Sequence, residues 1–140
     1  MVAGKNSLNN GVVQVDIDRV KGTIRSLRKV GDAYEYASGN GLNDYLYTGH
    51  ITDNPQGIER IRSIKVLNDG AVAATLRIES EAPGCNLLLR NIEWEYKAHI
   101  LKLQNILFIQ CIANIHSVYS FVNCNIAQQK ITSWSFRFYT

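Results

Sequence analysis

Apolar and polar residues alternate over short stretches of this chain, with the period of two that is typical of half-buried β-strands. Val13, Val15 and Ile17 alternate with polar neighbours, and Lys21-Gly22 then turns the chain into the stretch 23–27. The pattern therefore predicts a β-hairpin over residues 13–27.

A second and clearer hairpin is predicted over residues 61–79, around the turn Asn68-Asp69-Gly70, because glycine tolerates the positive φ of a tight turn. On its return strand, the apolar positions are predicted to face one way: Val72, Ala74, Leu76 and Ile78. After a break at Pro83-Gly84, further strands are predicted over 88–96, 101–109, 117–122 and 130–139, with a short one over 42–47.

No segment carries a sustained apolar stripe of helical period, so the predicted fold class is all-β, an antiparallel β-sandwich. With 140 residues, the chain is expected to form a single module over 1–140, or a piece of a larger domain.

Charge and cysteine usage exclude several classes of function. The net charge of +3 is weak and the basic residues are scattered, which disfavours a nucleic-acid-binding protein. No signal peptide or membrane span is predicted, so the expected location is cytoplasmic by default. Cys85, Cys111 and Cys124 follow no metal or disulfide spacing and are interpreted as free thiols.

Acidic residues are confined to the first two thirds of the chain. Every one of the 12 acids lies at or before Glu95, and from residue 103 onward the only charged side chains are Lys130 and Arg137. Because a folded domain normally distributes charge over its outer surface, this tail is predicted to be unusually buried or not shaped as an outer surface.

The sequence offers no convincing catalytic set. Asp16 with Asp18, and Glu79 with Glu81, are spaced so that both members share one strand face, where solvated outer charges are expected. The histidines His50, His99 and His116 lie far apart and in no metal-ligand spacing.

The best candidates for binding are polar and aromatic residues of one loop. An aromatic ring can stack on the apolar face of a sugar while planar polar side chains bind its hydroxyl groups, and this combination occurs at Asn43, Tyr45, Tyr47 and His50. The same residues could instead contact another domain, and a further alternative is that they are ordinary exposed loop residues. Arg90 shares the parity of the core-facing positions of its strand, so it is predicted either to reach water at the rim or to contact a carboxylate or a sugar.

Several segments resemble the β-rich C-terminal region of the family 38 glycoside hydrolases, the α-mannosidases. The similar segments are Val15-Asp16-Ile17 through Ile24-Arg25-Ser26-Leu27, the loop 42–47, the block from Ala74 to Cys85, and the strand from Arg90 to Tyr96. The resemblance covers about residues 13–96, whereas the tail 97–140 diverges. It implies a galactose-mutarotase-like supersandwich, of which this chain is a partial copy.

The resemblance also implies a function. The family holds its catalytic divalent metal, typically zinc, in a separate α/β domain, so this chain is expected to bind no cofactor and to be no enzyme on its own. It is interpreted as a non-catalytic part of an α-mannosidase-like hydrolase, with the catalytic domain as its partner. The alternatives are an autonomous carbohydrate-binding module for mannose-containing sugars and a scaffold without ligand. Association with nucleic acid or membrane is not expected, but self-association through exposed sheet edges is.

Overall fold

The computed structural model describes residues 2–4, 6–37, 39, 41–48, 52–95, 100–110 and 127–137. These residues form nine β-strands: β1 (Val2–Gly4), β2 (Ser7–Asn9), β3 (Val13–Ile17), β4 (Ile24–Lys29), β5 (Arg60–Asp69), β6 (Ala73–Ala82), β7 (Cys85–Glu95), β8 (Ile100–Gln110) and β9 (Ala127–Arg137). In this part of the chain, no helix is long and apolar enough to cross a membrane.

The strands are arranged in two antiparallel sheets. One has four short strands in the order β1-β2-β3-β4, and the other has five longer strands in the order β5-β6-β7-β8-β9. Within each sheet, every strand pairs with its neighbours in sequence, whereas β4 and β5 belong to different sheets. The predicted all-β class is confirmed, and the two sheets are consistent with a β-sandwich.

A hydrophobic core joins the two sheets. Its members come from β2, β3 and β4 on one side and from β6, β7 and β8 on the other: Leu8, Val13, Val15, Ile17, Ile24, Leu27, Ala74, Leu76, Ile78, Ile92, Trp94, Leu101 and Leu103, together with the loop residue Ala37. Alternation along the strands places most of these side chains on the inner faces, and in β4 a register shift opposite Asp16 and Ile17 allows both Ile24 and Leu27 to be buried. The predicted orientation of Ala74, Leu76 and Ile78 is confirmed, whereas Val72 lies exposed before β6 begins.

The first predicted hairpin forms as β3 and β4, with Val15 opposite Leu27. Its turn is organised by Asp18, whose carboxylate accepts hydrogen bonds from the backbone N–H groups of Val20 (2.7 Å) and Lys21 (3.0 Å). Gly22 follows with a φ of 67°. Asp18 therefore belongs to the turn. The sequence pattern predicted that it shares a strand face with Asp16, and that prediction is wrong, because β3 ends at Ile17.

The second hairpin forms as β5 and β6, but its turn lies later than predicted. Asp69 still pairs with Ala74, and the Gly70 N–H donates to the carbonyl of Ala73 (3.0 Å). Gly70 does not have a positive φ. From β5 onward, a positive φ occurs among the described residues at Gly84, where it is 81°. The prediction of a positive φ at Gly70 is therefore wrong, and the requirement falls on the Pro83-Gly84 turn between β6 and β7.

The remaining strand predictions are confirmed in part. β7, β8 and β9 occupy the regions predicted as strands over 88–96, 101–109 and 130–139, although β9 begins at Ala127. The predicted strand over 117–122 lies outside the described residues. Residues 42–47 do not form a strand; they make isolated bridges, Ile24 with Leu42 and Tyr47 with Gln56. The three-residue strands β1 and β2 are too short to give an alternation pattern.

Candidate functional site

Arg90 is the most unusual residue of the core. It lies on β7 opposite Ile78 of β6 and Asn105 of β8, and only 1% of it is exposed. Strand alternation alone accounts for this position, because Leu88 and Ile92 point the same way and are also buried. The expectation that Arg90 reaches water at the rim is therefore wrong.

The guanidinium of Arg90 is bound by groups from three other parts of the fold. Nη2 donates to the carbonyl of Lys21 (2.7 Å) and to Oγ of Ser80 (3.1 Å), and Nη1 donates to the carbonyl of Asn43 (3.4 Å). Arg90 thus joins the five-stranded sheet to the β3–β4 turn and to the loop that follows β4. We call Arg90 and these three partners the Arg90 cluster.

Gly22 lies directly against the guanidinium. A Cβ atom at this position would be 2.0 Å from Nη2 of Arg90, and the φ of 67° already favours glycine. A glycine is therefore required at this turn for two reasons, its backbone conformation and the close approach of the guanidinium.

Burial lowers the pKa of Arg90 to about 10, although the negative charge of Asp44 opposes the shift. The side chain is still protonated at neutral pH. Within the described residues, Nε of Arg90 is buried without a hydrogen-bond partner. Carbonyl and hydroxyl oxygens are thus the main compensation for this buried charge.

Asn43 contributes more than its carbonyl. Its φ of 62° lies in the left-handed region, which asparagine tolerates better than most residues. Its side-chain amide forms a reciprocal pair with Asn105 on β8: Asn43 Nδ2 donates to Asn105 Oδ1 (3.1 Å), and Asn105 Nδ2 donates to Asn43 Oδ1 (2.7 Å). The loop is thereby fixed to β8 of the larger sheet.

The two candidate tyrosines pack on the turn between β6 and β7. The hydroxyl of Tyr45 donates to the carbonyl of Pro83 (2.6 Å), and burial, together with the nearby Cys85, raises the pKa of Tyr45 to about 12. The ring of Tyr47 lies so close to Gly84 that a Cβ there would be 2.2 Å from Cε2. Both tyrosines therefore make contacts that hold the loop on this turn.

The structure brings four of the five predicted binding residues into one region. Asn43, Tyr45 and Arg90 are linked through hydrogen bonds to the core sheet and its turn, and Tyr47 covers Gly84. His50 lies outside the described residues. Sequence reasoning missed Asn105, which is 62 positions away from Asn43, and it gave no signal for the role of Ser80.

The carboxylates of Asp18, Glu79 and Glu81 are stabilised in the ionised form. Arg60 and Arg62 bind Glu81 (2.6 and 2.7 Å) and lower its pKa to about 2. Hydrogen bonding from Lys65 lowers the pKa of Glu79, and backbone hydrogen bonds from Lys21 and Val20 lower that of Asp18. A general acid of a glycosidase needs the opposite, a raised pKa. These groups are therefore suited to ion pairing and turn formation.

Among the described residues, no group of three or more histidine, cysteine, aspartate or glutamate side chains is placed to hold a metal ion. All three histidines, with Cys111 and Cys124, lie outside that part of the chain. Cys85 is half-buried beside the β6–β7 turn, and burial raises the pKa of its thiol.

Comparison with known proteins finds no match among family models, curated proteins or solved structures. The relationship to the α-mannosidases therefore stays a prediction from the sequence segments quoted above.

Proposed function

We propose that this chain is a non-catalytic β-sandwich module of an α-mannosidase-like glycoside hydrolase. In this proposal the module is a partial supersandwich of the galactose-mutarotase-like type, and it supports a separate metal-dependent domain that hydrolyses α-mannosides. The metal, typically zinc, belongs to that separate domain.

The proposal rests on one observation. The side chains predicted to bind a ligand are already bound to other groups within the fold. Arg90, Asn43 and Tyr45 bind carbonyl, hydroxyl and amide groups of the chain itself. A sugar would have to displace these hydrogen bonds to reach them, at a cost comparable to what it gains. The contacts fit a module in which these side chains serve packing, and the resemblance over residues 13–96 supplies the type of enzyme.

A module of this kind needs a surface for the catalytic domain, and the tip of the β5–β6 hairpin is the best candidate. Val66, Leu67 and Val72 flank the turn and are all exposed. Three exposed apolar side chains at one hairpin tip could form part of an interface between domains, which is typically small and partly apolar. In the proposal this tip packs against the catalytic domain.

The first test uses the purified chain alone with an aryl α-mannoside and added zinc. The proposal expects no hydrolysis above the buffer rate. Hydrolysis that a chelator abolishes would contradict it, because the chain would then hold the catalytic centre itself.

The second test examines the partner. A reading frame for a metal-dependent α-mannosidase domain, in the same gene or directly beside it, is expected. The protein encoded there should bind this chain in size-exclusion chromatography, and Leu67→Ser should weaken the complex more than Val20→Ser, a matched change at an exposed valine in the β3–β4 turn. Equal binding by the two variants would move the interface away from the hairpin tip.

The alternative function is an autonomous carbohydrate-binding module that uses Asn43, Tyr45 and Tyr47. In that case, titration with mannose or mannobiose should shift the backbone amide signals of residues 43–47. Saturable shifts at those amides would favour this alternative over the structural role.

A further inference from the structure

The two edges of the five-stranded sheet differ in how well they are protected against pairing with another chain. Within the described residues, β5 pairs with β6 alone and β9 pairs with β8 alone, so these two strands form the edges. An unpaired strand edge can form hydrogen bonds with a further strand, and folded proteins usually interrupt such edges with bulges, prolines or charged side chains. The edge that lacks these features is the one open to another strand.

The β5 edge is interrupted and charged. The register of β5 with β6 shifts at two places over its ten residues. Arg60, Arg62 and Lys65 are exposed along the same strand. Bulges and cationic side chains both oppose edge pairing, so β5 is poorly suited to receive another strand.

The β9 edge is long and regular. Its 11 residues pair with β8 in one unbroken register, from Ala127 opposite Gln110 to Arg137 opposite Ile100. The strand contains no proline, glycine or acidic residue, and the six residues between Lys130 and Arg137 are all uncharged. Isoleucine, threonine, tryptophan and phenylalanine in that stretch favour extended backbone. Of the two edges, β9 is therefore the one without a bulge and with the longer uncharged stretch.

The charge distribution along the chain indicates the same edge. All 12 acids lie at or before Glu95, and from residue 103 onward the only charged residues are Lys130 and Arg137. This region contains most of β8 and all of β9. Charged residues are depleted at the centre of protein interfaces. A sheet that continues beyond β9 would place this poorly charged region at its centre, which matches its composition.

We propose that two copies of the chain pair through β9, antiparallel about a two-fold axis, and form one continuous sheet. A two-fold axis perpendicular to the sheet joins two identical edges in the antiparallel direction. With Thr132, the middle residue of β9, on the axis, all 11 residues of each strand are paired. About ten backbone hydrogen bonds then form between the copies, as many as in a typical interface.

This register also keeps like charges apart, and the assembly stops at two copies. Lys130 lies opposite Trp134 of the second copy, and Arg137 lies opposite its Ala127, so neither cation faces another cation. The outer edges of the joined sheet are then the two β5 strands, whose bulges and cations oppose further pairing. The self-association expected from the sequence is thereby assigned to one edge. It does not depend on the function proposed above, because it uses neither the hairpin tip nor a catalytic domain.

Sedimentation velocity of the purified full chain over a concentration series tests the assembly. We expect reversible conversion from monomer to a species of twice the monomer mass, with a Kd in roughly the micromolar range, because the interface consists mainly of backbone hydrogen bonds. A monomer at every concentration would overturn the proposal. A series of ever larger species would also overturn it, because the β5 edges would then pair as well.

Hydrogen exchange at high and low protein concentration identifies the edge that pairs. The backbone N–H groups of β9 point alternately towards β8 and towards the outer edge. On dilution, the outward amides should lose protection, while the amides bonded to β8 and those of β5 keep theirs. Protection of the outward amides that does not change on dilution would contradict the proposal, as would dilution-dependent protection in β5 instead.

Charge variants at the end of β9 test the register. Ala127→Glu places a carboxylate opposite Arg137 of the second copy and should lower the Kd of the dimer about fivefold, whereas Ala127→Lys should raise it about fivefold. Val66→Glu and Val66→Lys, at a valine that is 39% exposed on β5, are the matched controls and should leave the Kd unchanged. Circular dichroism checks the fold of each variant. Equal Kd values for Ala127→Glu and Ala127→Lys would contradict the proposed pairing.

Discussion

Two arginine sites on the larger sheet show how burial changes the role of the same side chain. Arg90 is enclosed in the core and bound by the carbonyls of Lys21 and Asn43 and by the hydroxyl of Ser80. Arg60, on the edge strand β5, is exposed and binds the carboxylate of Glu81 through two hydrogen bonds, of 2.6 and 2.7 Å. The exposed arginine thus binds a charged carboxylate, whereas the buried arginine binds neutral oxygens, which form weaker hydrogen bonds.

The difference indicates which site the fold depends on. In an exposed ion pair, the arginine loses bound water when it contacts the carboxylate. The pair therefore contributes little to stability. At the buried site, removal of the guanidinium would leave the buried hydroxyl of Ser80 and the carbonyls of Lys21 and Asn43 without that donor, and a buried polar group is costly when unsatisfied. We therefore expect the free energy of unfolding to depend strongly on the Arg90 cluster and only slightly on the ion pair between Arg60 and Glu81.

The largest effect is expected from Arg90→Met. This change keeps much of the apolar stem but removes the donors to Lys21, Asn43 and Ser80, so the free energy of unfolding should fall by about 3 kcal/mol. Arg62→Met, at an exposed partner of Glu81, is the matched control and should change it far less. Urea denaturation followed by tryptophan fluorescence measures both variants, and equal midpoints would remove the distinction between the two sites.

The next effect concerns the glycine that lies against the guanidinium. Gly22→Ala introduces a Cβ 2.0 Å from Arg90 Nη2 at a positive φ, and should cost about 2–3 kcal/mol. Gly31→Ala has a similar φ of 83° but meets no described atom within 4 Å, so only backbone strain of about 1 kcal/mol is expected. Comparison of the two thermal unfolding midpoints isolates the contact. If Gly31→Ala is as destabilising as Gly22→Ala, the close packing on Arg90 has no energetic consequence.

A smaller effect is expected at Tyr45, two residues after Asn43 of the Arg90 cluster. Tyr45→Phe removes the hydrogen bond to the Pro83 carbonyl but keeps the ring, and should lower the free energy of unfolding by about 1 kcal/mol. Tyr34→Phe removes a hydroxyl from a largely exposed ring and serves as the control without loss of stability. An unchanged free energy of unfolding in Tyr45→Phe would mean that the loop does not need this hydrogen bond to stay on the β6–β7 turn.

The smallest effect is the acid sensitivity of the surface pair. The pKa of Glu81 is about 2 in the folded chain, against an ordinary value of 4.5, so its contribution is complete above pH 4.5. As the pH falls from 4.5 towards 2, the unfolded chain takes up the proton first, and this contribution is lost. Glu81→Gln should flatten that part of the curve of unfolding midpoint against pH, while Arg90→Met leaves its slope unchanged. The same slope in wild type and Glu81→Gln would contradict the shifted pKa.

Sequence patterns predicted the strands better than the connections. Alternation was sufficient for the core faces of β6 and β7, and even for the inward direction of Arg90, because a strand fixes parity whatever the residue type. The turn at Gly70 was predicted wrongly, because strand pairing extended through Asp69 and moved the turn. Local pattern cannot show where pairing between two strands ends.

The contents of the candidate site were predictable only in part. Asn43, Tyr45 and Tyr47 could be chosen from their residue types in one loop, but their partners Asn105, Pro83 and Gly84 lie far away in sequence. Those partnerships depend on tertiary packing, which residue type alone does not show.

The central claim is that Arg90 fastens the β3–β4 turn and the following loop to the larger sheet. Native-state hydrogen exchange tests it at the paired amides of Ile24 and Leu42, each of which donates to the other's carbonyl (2.9 Å) at the junction of the two elements. The account predicts that Arg90→Met lowers protection at these two amides by more than it does at the amides paired between β7 and β8. Equal loss of protection at both places, or none, would contradict the claim.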